Sequence, residues 1–254
     1  MSGLVVLVGA GPGDPELITQ KGLRWLRRAD VVVYDRLVAR ELLDEAPPGA
    51  ERIDAGKAPG RHTLGQDEIN AVLIDRALAG RTVIRLKGGD PGIFGRAGEE
   101  LEALREAGVR VEIVPGVTAA TAAAACAGIS LTHRECASTV ILTTGSEAAE
   151  RDMPSAAWAR WSAEPGTLVF YMPVRNLVAI VDALVEGGRP PDEPALLVQS
   201  AFTPRERQLF APLEHIVMRS RELELQSPAI LVVGPAVAQA PRWAARALAE
   251  AVQE

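Results

Sequence analysis

The chain has 254 residues, enough for one large domain or two small ones, and 48% of them are apolar, enough for a sizeable core. A formal net charge of −6 argues against general nucleic-acid binding, although it leaves room for a locally basic cleft. No apolar run approaches the roughly 20 residues of a membrane span, and Met1-Ser2-Gly3 leads straight into a strand with no basic stretch of a signal peptide. The two cysteines, Cys126 and Cys136, make no metal-ligand pattern and read as reduced thiols of a cytoplasmic protein.

Leu4 to Val8 is a continuous apolar run, expected as a strand, that ends in Gly9-Ala10-Gly11-Pro12-Gly13-Asp14-Pro15. A helix is expected next, with Leu17, Leu23 and Leu26 apolar. Strand, glycine loop and helix invite a dinucleotide reading, but the spacing fails it. The third glycine of Gly-x-Gly-x-x-Gly is Asp14 here, and Pro12 removes an amide that would face a pyrophosphate. Ala29 to Asp35 is a second strand, ending on a carboxylate. Such a carboxylate is either a sheet-end cap or a proton-handling group, and position alone does not decide between them.

Ile53 to Lys57 reads as a short strand ending in Gly56-Lys57. No Walker spacing precedes Gly-Lys and no Ser or Thr follows it, so it is not a P-loop. Lys57, Arg61 and His62 cluster near the strand's carboxyl end, which suits an anionic substrate. Gln66 to Leu78 reads as a helix with Ile69, Val72, Leu73 and Ile74 inward.

The stretch most charged with chemistry is Arg85-Leu86-Lys87-Gly88-Gly89-Asp90-Pro91-Gly92-Ile93-Phe94-Gly95-Arg96. The strand Thr82–Leu86 enters it and a helix over Gly98–Ala107 leaves it, with Leu101 and Leu104 on one face and Glu99, Glu100, Glu102, Arg105 and Glu106 around them. Glycines at a strand-to-helix crossing let main-chain groups approach a ligand, and α/β sheets bind ligands at the carboxyl ends of their strands. Val109 to Val114 is a further strand, stopped by Pro115-Gly116, where the sequence places a domain boundary. Residues 1–115 thus read as an α/β domain with a parallel sheet and 116–254 as a second α/β domain.

The second half opens on a helix over Val117–Cys126, whose Thr118 and Ala119 offer free amides and a small surface. Strands are expected at Thr139–Thr143, Thr167–Met172, Ala195–Phe202 and Ile230–Val233, with a weaker one at Gln208–Phe210. Helices are expected at Asn176–Glu186, Leu213–Arg221 and Gln239–Val252. Closely spaced strands with few crossovers predict a mixed sheet. His133 has no His or Cys partner nearby and is not read as a metal ligand; no metal site is expected.

Arg85 to Arg96 closely resembles the Arg-Leu-Lys-Gly-Gly-Asp-Pro-Phe-x-Phe-Gly-Arg signature of uroporphyrinogen-III C-methyltransferases, with Gly92 standing where that family usually has Phe. Gly9 to Pro15, Tyr34 to Val38 and Gly128 to Arg134 resemble further family segments, with Ser130 for a usual Pro. Tyr171-Met172-Pro173 resembles Tyr-Met-Gly, and Thr144-Gly145-Ser146 stands for Thr-Gly-His. The resemblance covers nearly the whole chain. It implies two α/β domains of the class III, tetrapyrrole methyltransferase-like type, with the cofactor in the cleft between them. It implies S-adenosyl-L-methionine as cofactor, S-adenosyl-L-homocysteine as product, and C-methylation of uroporphyrinogen III at two ring carbons to give precorrin-2.

The same resemblance implies Asp35 as general base with Lys57 as its partner. The implied cofactor contacts are Pro12, Gly88, Gly89, Asp90, Ile93, Thr118, Ala119, Met172, Ala201 and Ala229. The implied contacts to the carboxylate-rich substrate are Arg96, Glu99, Arg61, His62 and Arg134, with Glu99 either orienting Arg96 or serving as first-turn helix charge. A cytoplasmic homodimer is implied, with neither nucleic acid nor membrane as partner. No domain for the oxidation and iron insertion of fused sirohaem synthases is expected. Two other readings are a methyltransferase of the same fold acting on a later precorrin or another substrate, and a non-catalytic ligand-sensing relative.

Overall fold

The structure is a computed structural model and describes residues 3–56, 64–146 and 154–241. The chain divides into two compact units, Met1–Ala119 and Ala120–Glu254. The sequence places the division after Pro115 instead. In the structure Gly116 stays with the first unit because a Cβ on it would lie 2.4 Å from Gly89 O and 2.8 Å from Gly9 Cα.

The first unit is a five-stranded sheet of β1 (Leu4–Gly9), β2 (Val31–Tyr34), β3 (Glu51–Asp54), β4 (Thr82–Lys87) and β5 (Arg110–Val114). Its spatial order is β3-β2-β4-β1-β5 and every pairing is parallel. The continuous apolar runs of β1, β2 and β4 follow from this, since a parallel sheet is covered on both faces. Val6, Val8, Val32, Ile84 and Leu86 pack on one side with Leu26, Leu42 and Leu43. Val5, Leu7, Val31, Val33 and Val83 pack on the other with Ile69, Leu73 and Leu104.

The helices of this unit are α1 (Gln20–Leu26), α2 (Gln66–Leu78) and α3 (Ala97–Glu106). The helix expected after Pro15 is split into a 3-10 turn at Pro15–Leu17, capped by Asp14, and α1, whose Thr19 accepts from Gly22 N at 3.1 Å. Two N-caps of this kind in close succession set two starts rather than one. α2 has the expected bounds, and Glu68 reaches back to accept from Gly65 N at 2.6 Å.

The second unit holds β6 (Val140–Thr144), β7 (Thr167–Tyr171), β8 (Pro194–Gln199), β9 (Arg207–Pro212) and β10 (Ala229–Val233), in the order β6-β7-β10-β8-β9. Only β6 and β7 pair in parallel; the other three pairings are antiparallel, so the sheet is mixed. Its helices are α4 (Ala119–Cys126, which begins in the first unit), α5 (Pro154–Ser162), α6 (Leu177–Glu186) and α7 (Leu213–Glu222). Trp158, Phe170, Ile180, Leu184, Leu197 and Leu231 form the main core, with the Trp158 and Phe170 rings edge-on at 6.4 Å.

Three expectations are corrected here. The strand expected to run to Phe202 ends at Gln199, because Ser200 and Phe202 have φ of 49° and 57° and cannot continue a pleat. α5 has no counterpart among the expected elements. The helix expected from Val117 starts at Ala119. Of the helix expected over Gln239–Val252, all beyond Pro241 lies outside the described residues.

Candidate active site

Because all strands of the first unit are parallel, their carboxyl ends share one edge, and the loops leaving β1, β4 and β5 pack there backbone to backbone. Gly11 and Gly89 exchange amide hydrogen bonds at 2.7 and 3.2 Å, and Ala10 N donates to Lys87 O at 2.8 Å. A Cβ on Gly9 would come within 2.6 Å of Gly116 Cα, so no side chain fits between these loops. Asp90 ties the arrangement together: its Oδ2 accepts from Gly116 N at 2.9 Å and its Oδ1 from Gly92 N at 2.7 Å. Gly89 itself has φ of 71°, and a Cβ there would meet only Ala119 N, at 3.8 Å. The loop is thus pinned from below and open at Gly89, a surface made of main chain.

Asp35 lies beside this loop. Its amide donates to Leu86 O at 3.2 Å, and Leu37, two residues on, would touch a Cβ on Gly88 at 3.0 Å. The Asp35 carboxylate is held from beneath by Arg85, whose Nη2 donates to Oδ1 at 2.6 Å. Arg85 is itself buried on β4, and its Nε donates to Glu100 Oε1 at 3.0 Å. Lys87, two residues along the same strand and so on the same face, reaches the same Glu100 oxygen at 2.7 Å. Gln66 Nε2 adds a third donor to it at 3.3 Å, while Glu100 Oε2 is buried with no hydrogen-bond partner among the described residues. Burial, reinforced by the Arg85 charge, lowers the Lys87 pKa against the opposing pull of Glu100.

The sequence reading places Glu100 among the solvated charges of α3, whereas it is fully buried. The signal was present, since Ala97, Glu100 and Leu104 recur at one helical face. The strand expected over Thr82–Leu86 runs on to Lys87, and Arg85 and Lys87 share the parity of the core residue Val83.

The loop then turns out to solvent through Phe94 and Arg96, both left-handed at φ of 51° and 57°. Non-glycine residues in this region are strained and are found at functional sites more often than elsewhere. Arg96 and Glu99 form a bidentate pair, Nε–Oε1 at 2.8 Å and Nη2–Oε2 at 2.6 Å, with both side chains about half exposed. Pro12 and Ile93 are partly buried in the loops just described, and Thr118 immediately precedes α4.

In the second unit, β6, β7 and β8 end and β10 begins at one edge of the sheet. Ile230 lies opposite Tyr171 and Ala229 opposite Gln199. Met172, Ala201 and Ala229 are therefore brought to a common edge, with Ser200 N donating to Pro228 O at 3.0 Å. Three left-handed residues stand there, Met172, Ser200 and Phe202, and Met172 is 47% exposed although apolar. Gly145 of the Thr-Gly-Ser turn lies against Pro173, where a Cβ would meet its Cα at 2.8 Å. The Tyr171 hydroxyl accepts from Ala120 N at 3.2 Å, fixing the first turn of α4. Arg134 is exposed and makes no ion pair among the described residues.

Lys57, Arg61 and His62 lie outside the described residues. Among those described, no group of three or more His, Cys, Asp or Glu side chains could hold a metal ion, and no helix is long and apolar enough to cross a membrane.

Residues 4–217 match the family model of the tetrapyrrole (corrin/porphyrin) methylases. A uroporphyrinogen-III C-methyltransferase of Bacillus subtilis strain 168 is 45% identical over 236 residues, 93% of this chain and 49% of that protein. Siroheme synthase 1 of Halorhodospira halophila is 49% identical over 241 residues, 94% of this chain and 49% of that protein. The chain thus spans about half the length of the curated relatives it matches. Among solved structures, uroporphyrin-III C-methyltransferase of Thermus thermophilus complexed with S-adenosylhomocysteine is 42% identical with a TM-score of 0.79, covering 92% of this chain and 99% of that one. A cobalt precorrin-4 methyltransferase is 31% identical with a TM-score of 0.80, covering 92% of this chain and 95% of that one. On the match to the family model and on these relatives together, the chain belongs to the tetrapyrrole (corrin/porphyrin) methylases.

Proposed function

We propose that this protein is an S-adenosyl-L-methionine-dependent C-methyltransferase that methylates uroporphyrinogen III at two ring carbons, giving precorrin-2 by way of precorrin-1 for sirohaem- or cobalamin-type biosynthesis. The observation that carries the reading is Asp35. It is a strand-end carboxylate anchored through one oxygen by Arg85 and set against an open glycine loop.

The residues fit the cofactor. The open main chain at Gly89, the small Ala119 3.8 Å from where a Cβ would stand, and the amides around Thr118 make a cradle that a side chain would fill. Gly88, Gly89, Ile93, Pro12, Thr118 and Ala119 would hold it, with Asp90 fixing the loop through Gly92 and Gly116. For the second unit the proposal is a small, largely apolar surface at Met172, Ala201 and Ala229, suited to the adenosyl portion. When bound, the cofactor supplies an activated methyl group on a sulfonium. The chain's own part is to align the electron-rich ring carbon and to take the proton that the ring sheds. Asp35 accepts that proton through Oδ2, the oxygen left without a hydrogen bond among the described residues, with Lys57 as its proposed partner. Arg96, oriented by Glu99, and Arg134, Arg61 and His62 would bind substrate carboxylates. A cytoplasmic homodimer belongs to the same proposal.

The structural likeness to a cobalt precorrin-4 methyltransferase supports a second reading, methylation of a later precorrin. One experiment separates the two. The protein is incubated with labelled cofactor and either uroporphyrinogen III or a later precorrin. Label is expected in the first; label confined to the second would overturn the assignment. Calorimetry should show S-adenosylhomocysteine binding without metal, and Gly89→Val should abolish it with the fold intact. Comparable affinity for NAD would revive the dinucleotide reading.

A further inference from the structure

We infer that Arg85 and Glu100 are positioning residues for Asp35, forming a buried charge relay whose sole solvent-facing member is the proposed base. The inference rests on the C-methylation reading above.

Burial and cost motivate it. The side chains of Arg85 and Lys87 are 3% exposed, that of Glu100 is 0% exposed, and that of Asp35 is 31% exposed. Two cations and a carboxylate have been stripped of water inside an apolar layer of valines and leucines. Well-packed apolar residues at such positions commonly serve stability as well or better. Stability alone therefore gives no reason to keep these charges, and the geometry supplies another.

The chain of contacts is linear, from Lys87 to Glu100 to Arg85 to Asp35, at 2.7, 3.0 and 2.6 Å. Its formal charges cancel, with two cations and two carboxylates. A guanidinium is a rigid planar fork, so fixing its Nε on Glu100 fixes the direction in which Nη2 points. Arg85 Nη1 is turned toward two main-chain oxygens, Val33 O and Leu86 O, each at 3.5 Å, which further restrains the plane. Nη2 then holds Asp35 Oδ1 and leaves Oδ2 to accept a proton. Lys87 neutralises the share of Glu100 that Arg85 cannot. A lysine at position 85 would carry the charge but could not span two carboxylates in fixed directions.

The test joins kinetics to crystallography of Arg85→Lys and Glu100→Gln. In Arg85→Lys, kcat should fall about tenfold to a hundredfold, the scale of misplacing a catalytic group by about an ångström. KM and the Kd for S-adenosylhomocysteine should stay within about twofold, since the Arg85 side chain is only 3% exposed. The crystal structure should show the Asp35 carboxylate displaced or split between rotamers. Added to Asp35→Asn, the substitution should cost no further activity, because the residue it positions can no longer act. Glu100→Gln keeps the shape of the side chain and guards against a misfolded lysine variant; it should shift the guanidinium and lower kcat about tenfold with KM unchanged. An unmoved Asp35 in Arg85→Lys, or losses that multiply in the double variant, would overturn the inference. Should wild-type protein fail to methylate uroporphyrinogen III while Asp35 still moves in Arg85→Lys, the substrate assignment falls and the positioning role stands.

Discussion

Two arginine–glutamate pairs leave the same strand-loop-helix segment, and they differ in almost everything but chemistry. Arg85–Glu100 is sealed beneath the sheet edge, with both side chains at 3% exposure or less. Arg96–Glu99 is bidentate on the surface, at 57% and 52%. The inner pair is closed to solvent, and the one partly exposed carboxylate it touches is Asp35. The outer pair is held in shape, so its guanidinium is already ordered, yet it remains open to water and to anions. Burial, rather than residue type, divides one motif into a part closed to solvent and a part open to it.

The comparison breaks most visibly on stability. Glu100→Ala leaves Lys87 a buried cation without its carboxylate and Arg85 with Asp35 alone, and should cost about 3–5 kcal/mol in urea unfolding. Glu99→Ala should cost about 0–1 kcal/mol, the usual range for an exposed pair. Equal costs would mean that the inner pair is hydrated in solution. Next in size is Asp35→Asn, where turnover should fall about a hundredfold or more while cofactor affinity is nearly unchanged. Near-normal turnover would leave Asp35 as a strand-end cap.

How far the site was legible follows the same division. Strand positions were readable within a few residues because β1, β2 and β4 are unbroken apolar runs, and the glycine loop because main-chain approach requires glycine at Gly9 and Gly116 and a φ of 71° favours it at Gly89. Asp35 and Arg96 stood out as charges at the end of a strand and the start of a helix. Glu100 did not, because a glutamate beside Glu99 reads as solvated until the helix is docked, and only Ala97 and Leu104 on its face betray it. α5 was missed although Trp158 and Trp161 stand one helical turn apart. The left-handed turns at Met172, Ser200 and Phe202 had no sequence signal, since these residue types seldom adopt that conformation and tertiary packing imposes it.

The outer pair predicts a kinetic effect of a different kind. On the proposed reading, Arg96→Ala removes a charge-assisted contact to a substrate carboxylate, about 1.5–3 kcal/mol, and should raise KM by roughly 10- to 100-fold. Its kcat should change little. A drop in kcat with KM unchanged would place Arg96 with the inner pair, as an organiser of the base.

The smallest effect is a pH signature, alike in sign for Lys87 and Glu99 but set apart by its pH window. Lys87 has its pKa lowered from 10.5 by burial and by Arg85, so between that lowered value and 10.5 the unfolded chain binds more proton at this position than the native chain does. Stability then rises with pH across the window, and the contribution is complete only above 10.5. Glu99 has its pKa lowered from 4.5 by the Arg96 hydrogen bond, so its contribution is complete above 4.5 and fades as pH falls below it. Being exposed, the Glu99 contribution should also shrink in high salt, whereas that of Lys87 should not. Urea unfolding of wild type and Lys87→Met from neutral to alkaline pH tests this. Other lysines and tyrosines titrate equally in both proteins, so the difference between the two curves isolates Lys87. Wild type should gain on the variant as pH rises toward 10.5. If wild type instead loses ground, Glu100 holds the ammonium more strongly than burial expels it, and Lys87–Glu100 behaves as an ordinary salt bridge.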